Sequence, residues 1–278
     1  MTEALRALGV LAEPPCSEHA AIAAALELPP PPSADEHMAV LGFQLPPYAS
    51  IYLGAEGMLG GEARDRIAGF WRALGGQPPR EPDHLSVLCA ALAELAGADP
   101  RIRTARAALY WEHVASWMPP YLAALRRIGS PFHAAWAATL DAVFAAEAEV
   151  IGPPSALPLA LRAVAAPEGP PADLDALLGA VLAPVRIGMV ITRDDLARCA
   201  AVLGFGLRAG ERRFALRSLL GQDAGEVLGW LAGEARRQAD AHGGGSMIPR
   251  WWQARGRAGA DWLDGLARAA AGSPAIAG

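Results

Sequence analysis

Lysine is absent from this 278-residue chain, so all 24 of its basic residues are arginine. A phosphate-binding loop of the Gly-Lys-Ser/Thr kind is therefore excluded, although gene base composition accounts for the missing lysine as well as function does. Acidic residues outnumber the arginines and leave a formal net charge of -5. There is no concentrated basic stripe, which argues against a dedicated nucleic-acid binder, whose affinity rests on neutralising phosphates. The pairs Arg126-Arg127, Arg212-Arg213 and Arg236-Arg237 read as solvated helix faces. Cysteine is scarce: Cys16, Cys89 and Cys199 stand far apart with no Cys-x-x-Cys, which points to a reducing compartment and away from a thiolate metal site. Glu3, Arg6, Glu13 and Glu18 interrupt the first residues, so no secretory signal is expected. No apolar run reaches the ~18 residues that suggest a membrane span. A cytoplasmic location without membrane insertion follows as an expectation. No serine sits in a Gly-x-Ser-x-Gly turn.

Hydrophobic residues make up 53% of the chain and charged residues 19%, enough apolar surface to offset the entropy of ordering. The apolar spacing is helical. Leu85, Leu88, Cys89, Leu92, Leu95 and Ala96 form one stripe, with Pro82 suited to the first turn of that helix and Glu81 and Asp83 to its positive end. The next helix is predicted from about Ile102 to Trp117, since Met118 precedes a proline. Another follows near Tyr121–Ile128, ended by Gly129. Ser130-Pro131 then cap a helix carrying Phe132, Trp136, Leu140, Val143 and Phe144. Leu28–Ser33 is a proline-rich connector. Further on, Thr192–Asp195 resembles a capping box before the stripe Leu196, Cys199, Ala200 and Leu203. Arg186–Ile191 is the one stretch that passes for a strand, and a single strand makes no sheet. The chain therefore reads as all-α. Its expected divisions are an N-terminal helical region over 1–152, a Pro/Gly-rich hinge or linker over 153–172 and a C-terminal helical region over 173–278. Gly243–Gly245 precede a final helix with Trp251, Trp252, Trp262 and Leu266.

Three motifs carry the functional content. Pro47–Leu53 places Tyr48 and Tyr52 at helical spacing, so both rings are expected on one face. Glu81-Pro82-Asp83-His84-Leu85 opens one helix, and His113-Val114-Ala115-Ser116-Trp117-Met118-Pro119 closes the next. Asp83 and His84 suit acid–base chemistry, metal ligation or peptide hydrogen bonding, and equally a capping Asp beside a hydrogen-bonded His. His113 lies one turn before Trp117, whose ring and N–H suit a groove floor. A zinc centre of Asp83, His84 and His113 would lack both a His-x-x-x-His pair and a cysteine cluster.

In that order, Pro-Tyr-x-Ser-x-Tyr-Leu, Glu-Pro-Asp-His-Leu and His-x-x-x-Trp-x-Pro, the motifs resemble the TorD/DmsD/NarJ family of molybdoenzyme maturation chaperones over roughly residues 35 to 150. The resemblance implies a TorD-like helical bundle, here with an additional C-terminal helical region. It also implies a non-enzymatic protein, with no cofactor of its own, that binds the twin-arginine leader and the apo catalytic subunit of a molybdopterin-containing oxidoreductase until its cofactor is inserted. The implied peptide-binding residues are Tyr48, Tyr52, Glu81, Asp83, His84, His113, Trp117, Met118 and Pro119. A monomer and a helix-swapped dimer are both compatible with it. Two other readings stand beside it: a metal-dependent hydrolase using Asp83, His84 and His113, and a helical adaptor using the tryptophan-rich C-terminal region.

Overall fold

The computed structural model describes residues 1–55, 57–97, 99–208, 210–243 and 245–272. Among them every regular element is helical, as the sequence pattern requires, and two units form. One unit comprises Met1–Gly54 and Met58–Ala163, the other Ala55–Gly57 and Val164–Gly278.

The first unit begins with α1 (Thr2–Val10), α2 (Glu18–Ala25) and α3 (Ala34–His37). The proline connector ends at Ser33, whose hydroxyl and the Glu36 side chain form a reciprocal capping box on α3. α3 passes into a π-helical segment, Met38–Gln44. The short α4 (Ala49–Leu53) and longer α5 (Gly61–Ala73) precede α6 (Leu85–Glu94). Leu85, Leu88, Cys89 and Leu92 of α6 are all fully buried, and α1 packs closely against this helix at Gly9, which faces Cys89 and the Ser86 backbone. The expected stripe overran its end, for Ala96 lies beyond the helix and is exposed. Pro82 is likewise not in the first turn of α6, because His84 is the N-cap and Glu81–Asp83 lie in the turn before it.

The stretch expected as one helix to Trp117 is in fact α7 (Pro100–Ala108) followed by a π-helical segment, Leu109–Val114. The Ala115 N–H donates to the Tyr110 carbonyl, a five-residue step that inserts extra backbone into the turn. A 3.6-residue periodicity cannot anticipate this widening. Met118 is no helix stop but the first residue of α8 (Met118–Ile128), with prolines in the first turn where a missing N–H costs nothing. α8 ends at Gly129, and α9 (Pro131–Ile151) starts from a Ser130–His133 capping box. α9 buries Phe132, Trp136, Leu140 and Phe144 and donates the Trp136 N–H to the Leu8 carbonyl at 3.1 Å. The one-turn α10 (Leu159–Arg162) closes the unit.

The second unit contains α11 (Leu174–Leu182), α12 (Pro184–Ile187), α13 (Arg193–Leu203), α14 (Arg212–Leu220), α15 (Ala224–Asp240) and α16 (Met247–Gly272). Arg186–Ile191 is not a strand. α12 ends there at Gly188, whose left-handed φ of 76° and contact with the backbone of Gly256 leave no space for a Cβ. Thr192 and Asp195 make the expected reciprocal box on α13, the Thr192 Oγ1 accepting the Asp195 N–H at 3.1 Å. The tryptophans here are engaged internally: Trp252 is fully buried, Trp251 packs under the Arg255 guanidinium, and the Trp262 N–H donates to the Gly169 carbonyl. No helix among the described residues is long and apolar enough to cross a membrane.

Candidate functional site

The first unit holds the candidate residues in three neighbouring settings. At the start of α4, Tyr48 is extended (φ -121°, ψ 124°) and pairs antiparallel with His84. The Ala49 N–H donates to the Asp83 carbonyl at 3.0 Å and the Leu85 N–H to the Pro47 carbonyl at 2.9 Å. Tyr48 and Tyr52 therefore do not share a helix face as their spacing predicts; Tyr48 precedes the helix, and Tyr52 turns into the core. The Asp83 carboxylate is buried and accepts the Ser50 N–H at 3.2 Å. It thus caps α4, whose own N-cap residue makes no side-chain bond, and not α6, as its sequence position suggests.

His84 caps α6 in turn. Its Nδ1 accepts the Ser86 N–H at 3.3 Å, which fixes that nitrogen as the unprotonated one in the neutral ring. Its Nδ1 lies 3.4 Å from Glu13 Oε1, and the Ser86 hydroxyl donates to the same carboxylate. The Tyr48 ring stands edge-on to the imidazole with 4.7 Å between centroids, and its hydroxyl donates to Glu81 at 2.9 Å. Burial, and then the bond to Glu81, push the Tyr48 hydroxyl up to about 12. Burial also lowers His84, against the opposing pull of Glu13, Glu81 and Asp83. Three carboxylates thus surround a tyrosine and a histidine. The Glu13 side chain is 47% exposed and Glu81 is exposed, so two of the three can meet a ligand.

Beneath α4 lies an aromatic stack. Tyr52 stacks on Trp117 at 5.2 Å with 17° between planes, and Tyr121 meets both rings. The Trp117 N–H donates to the His113 carbonyl at 2.9 Å, and the ring is fully buried. Met118 is buried and Pro119 partly so. Trp117 and Met118 accordingly support the site from below and do not form an open floor.

His113 belongs to the third setting, a groove of about 510 Å3 bordered by α4, α5, the second π-helical segment and α10. Leu53, Ile67, Phe70 and Leu159 give it apolar walls; Arg66, Glu112, His113 and Arg162 are its polar members. The His113 and Phe70 rings are 5.5 Å apart. Burial and then the Arg66 charge push His113 down to about 4, so it is neutral at ordinary pH. The structure thus brings Tyr48, Glu81, Asp83 and His84 together, joins Tyr52 to Trp117, and puts His113 in the groove. It adds Ser86, which directly follows the Glu81–Leu85 motif, and Glu13, Arg66 and Phe70, which no local motif announces because each arrives from a distant segment. Asp83, His84 and His113 are not gathered as metal ligands, and no group of three or more His, Cys, Asp or Glu among the described residues is placed to hold a metal ion. That geometry removes the support for the zinc-hydrolase reading.

The half-buried His113 and the fully buried His133 predict a pH response. Burial also pushes His133 down to about 4. An unfolded histidine titrates near about 6.5, so between about 6.5 and 4 the unfolded chain binds more protons than the native unit. The stability contributed by neutral His113 and His133 is complete above that window and lost as pH falls through it. Urea midpoints measured from pH 7.5 to 4 should drop across this interval, and His113→Gln should flatten part of the fall.

The first unit is thus all-helical, with an acidic corner and an apolar groove linked by one short helix. Residues 41–123 match the family model described as nitrate reductase delta subunit, the NarJ/TorD-type chaperone family that the motifs resemble. All nine candidate residues lie inside that stretch. The match points to molybdoenzyme maturation as the general role. No curated protein and no solved structure matches the chain.

Proposed function

We propose that this protein is a cytoplasmic maturation chaperone that binds the twin-arginine leader and the apo catalytic subunit of a molybdopterin-dependent oxidoreductase, holding the client until its cofactor is inserted. The observation that carries this reading is the corner where Glu13, Glu81 and Asp83 surround Tyr48 and His84. A leader of this class is cationic at one end and apolar in its middle. Guanidinium groups form their strongest contacts with carboxylates, in paired, charge-assisted hydrogen bonds. Glu13 and Glu81 present carboxylates to solvent, while Asp83 holds the α4 start in place beneath them. Affinity should be moderate, since an unstructured segment loses entropy on ordering and the client must later leave.

Calorimetric titration with a synthetic leader peptide, an arginine pair followed by an apolar run, tests the reading. The double substitution Glu13→Gln/Glu81→Gln should weaken binding about twofold to thirtyfold, the sum expected of two partly exposed ion pairs. Replacing the peptide's two arginines with glutamine should cost the same, and added salt should shrink both effects. Equal affinity of wild type and double variant for the arginine peptide would rule out this corner as the leader site.

A further inference from the structure

The groove bordered by α4, α5 and α10 carries charge of the opposite sign from the Tyr48 corner. Its two cationic members are Arg66 and Arg162. Arg66 is 24% exposed and has Glu62 at 3.7 Å, a long contact to a carboxylate 87% in water that screening leaves weak. Arg162 donates its Nε–H to the Leu157 carbonyl at 2.8 Å, which orients the guanidinium and leaves its terminal nitrogens available. The groove's one lining carboxylate, Glu112, is already engaged, accepting the Leu159 N–H at 2.6 Å. His113 adds no negative charge. An apolar trough with two arginines and an occupied carboxylate complements a segment that is apolar and carries an acid.

We propose that this groove binds an apolar client segment bearing a carboxylate, which Arg66 and Arg162 clamp, so that the unit reads a cationic group at one end of α4 and an anionic one at the other. The proposal rests on the client-binding reading but uses a different surface from the leader corner. In an apolar groove a carboxylate left unpaired would be costly, so the arginines select for it as well as attract it.

Three labelled 12-residue amphipathic Ala/Leu peptides, identical except for one Glu, Gln or Arg, are titrated into the full chain by fluorescence anisotropy. The Glu peptide should bind about fivefold to tenfold more tightly than the Gln peptide, and the Arg peptide most weakly. In Arg66→Gln/Arg162→Gln the Glu/Gln ratio should fall to about one while the twin-arginine leader keeps its affinity. Equal binding of the Glu and Gln peptides, a ratio that survives the double substitution, or no binding of any of the three overturns the proposal. The leader titration, run on the same samples, reports separately on the proposed function: its failure would sink the leader reading and leave the Glu/Gln comparison to judge the groove.

Discussion

Trp117→Ala should lower the stability of the first unit by about 3–5 kcal/mol, the range for emptying the site of a buried tryptophan. The ring is fully enclosed, stacks on Tyr52 at 5.2 Å and meets Tyr121 at 5.1 Å, so truncation leaves a cavity under α4 that neither neighbour can fill without leaving its own contacts. From its motif, Trp117 reads as a ligand-facing ring whose removal would weaken binding and spare the fold. Its burial reverses that expectation. Urea unfolding followed by far-UV circular dichroism should show the loss. Trp117→Phe should recover part of it, since a ring remains to stack on Tyr52 while the extra indole volume and the N–H bond to the His113 carbonyl are lost. A stable Trp117→Ala variant with a selective binding defect would contradict this account and return Trp117 to the ligand surface.

Glu147→Ala should cost a comparable amount, about 3–5 kcal/mol, for an electrostatic reason. Glu147 on α9 is fully buried, and the Arg106 side chain on α7 is 14% exposed. An Arg106 terminal nitrogen donates to Glu147 Oε2 at 2.6 Å, while the 2.5 Å approach of Nε to Oε1 is an ion contact without the alignment of a second hydrogen bond. Removing the acid strands a mostly buried guanidinium, which is far worse than removing both charges. The double substitution Arg106→Leu/Glu147→Leu should therefore be considerably more stable than Glu147→Ala. Additive losses around the cycle would show that the pair is not coupled.

The legible part of the site was chemical type and the illegible part was partnership. Tyr48, Glu81, Asp83 and His84 stand out in the sequence because acids, an imidazole and a phenol cluster beside prolines. Nothing local says that Asp83 caps α4 rather than α6, or that Glu13, more than sixty residues upstream, shares the Ser86 hydroxyl with His84. The groove was less legible still. Arg66, Phe70 and Leu159 come from separate helices, and His113 reaches them only after the backbone widens into a π-helical turn.

The chain alone determined that the described structure is helical, where α9 and α13 are capped, and which apolar stripes are core. These follow from neighbours three or four residues apart and from capping chemistry within a single turn. Tertiary structure alone decided that Trp117 and Tyr52 are interior, that Tyr48 pairs with His84 outside any helix, and that an acidic corner and an arginine-bearing groove lie at opposite ends of α4. Those outcomes depend on contacts between segments tens of residues apart, and on how much water each side chain keeps. Periodicity carries no record of either.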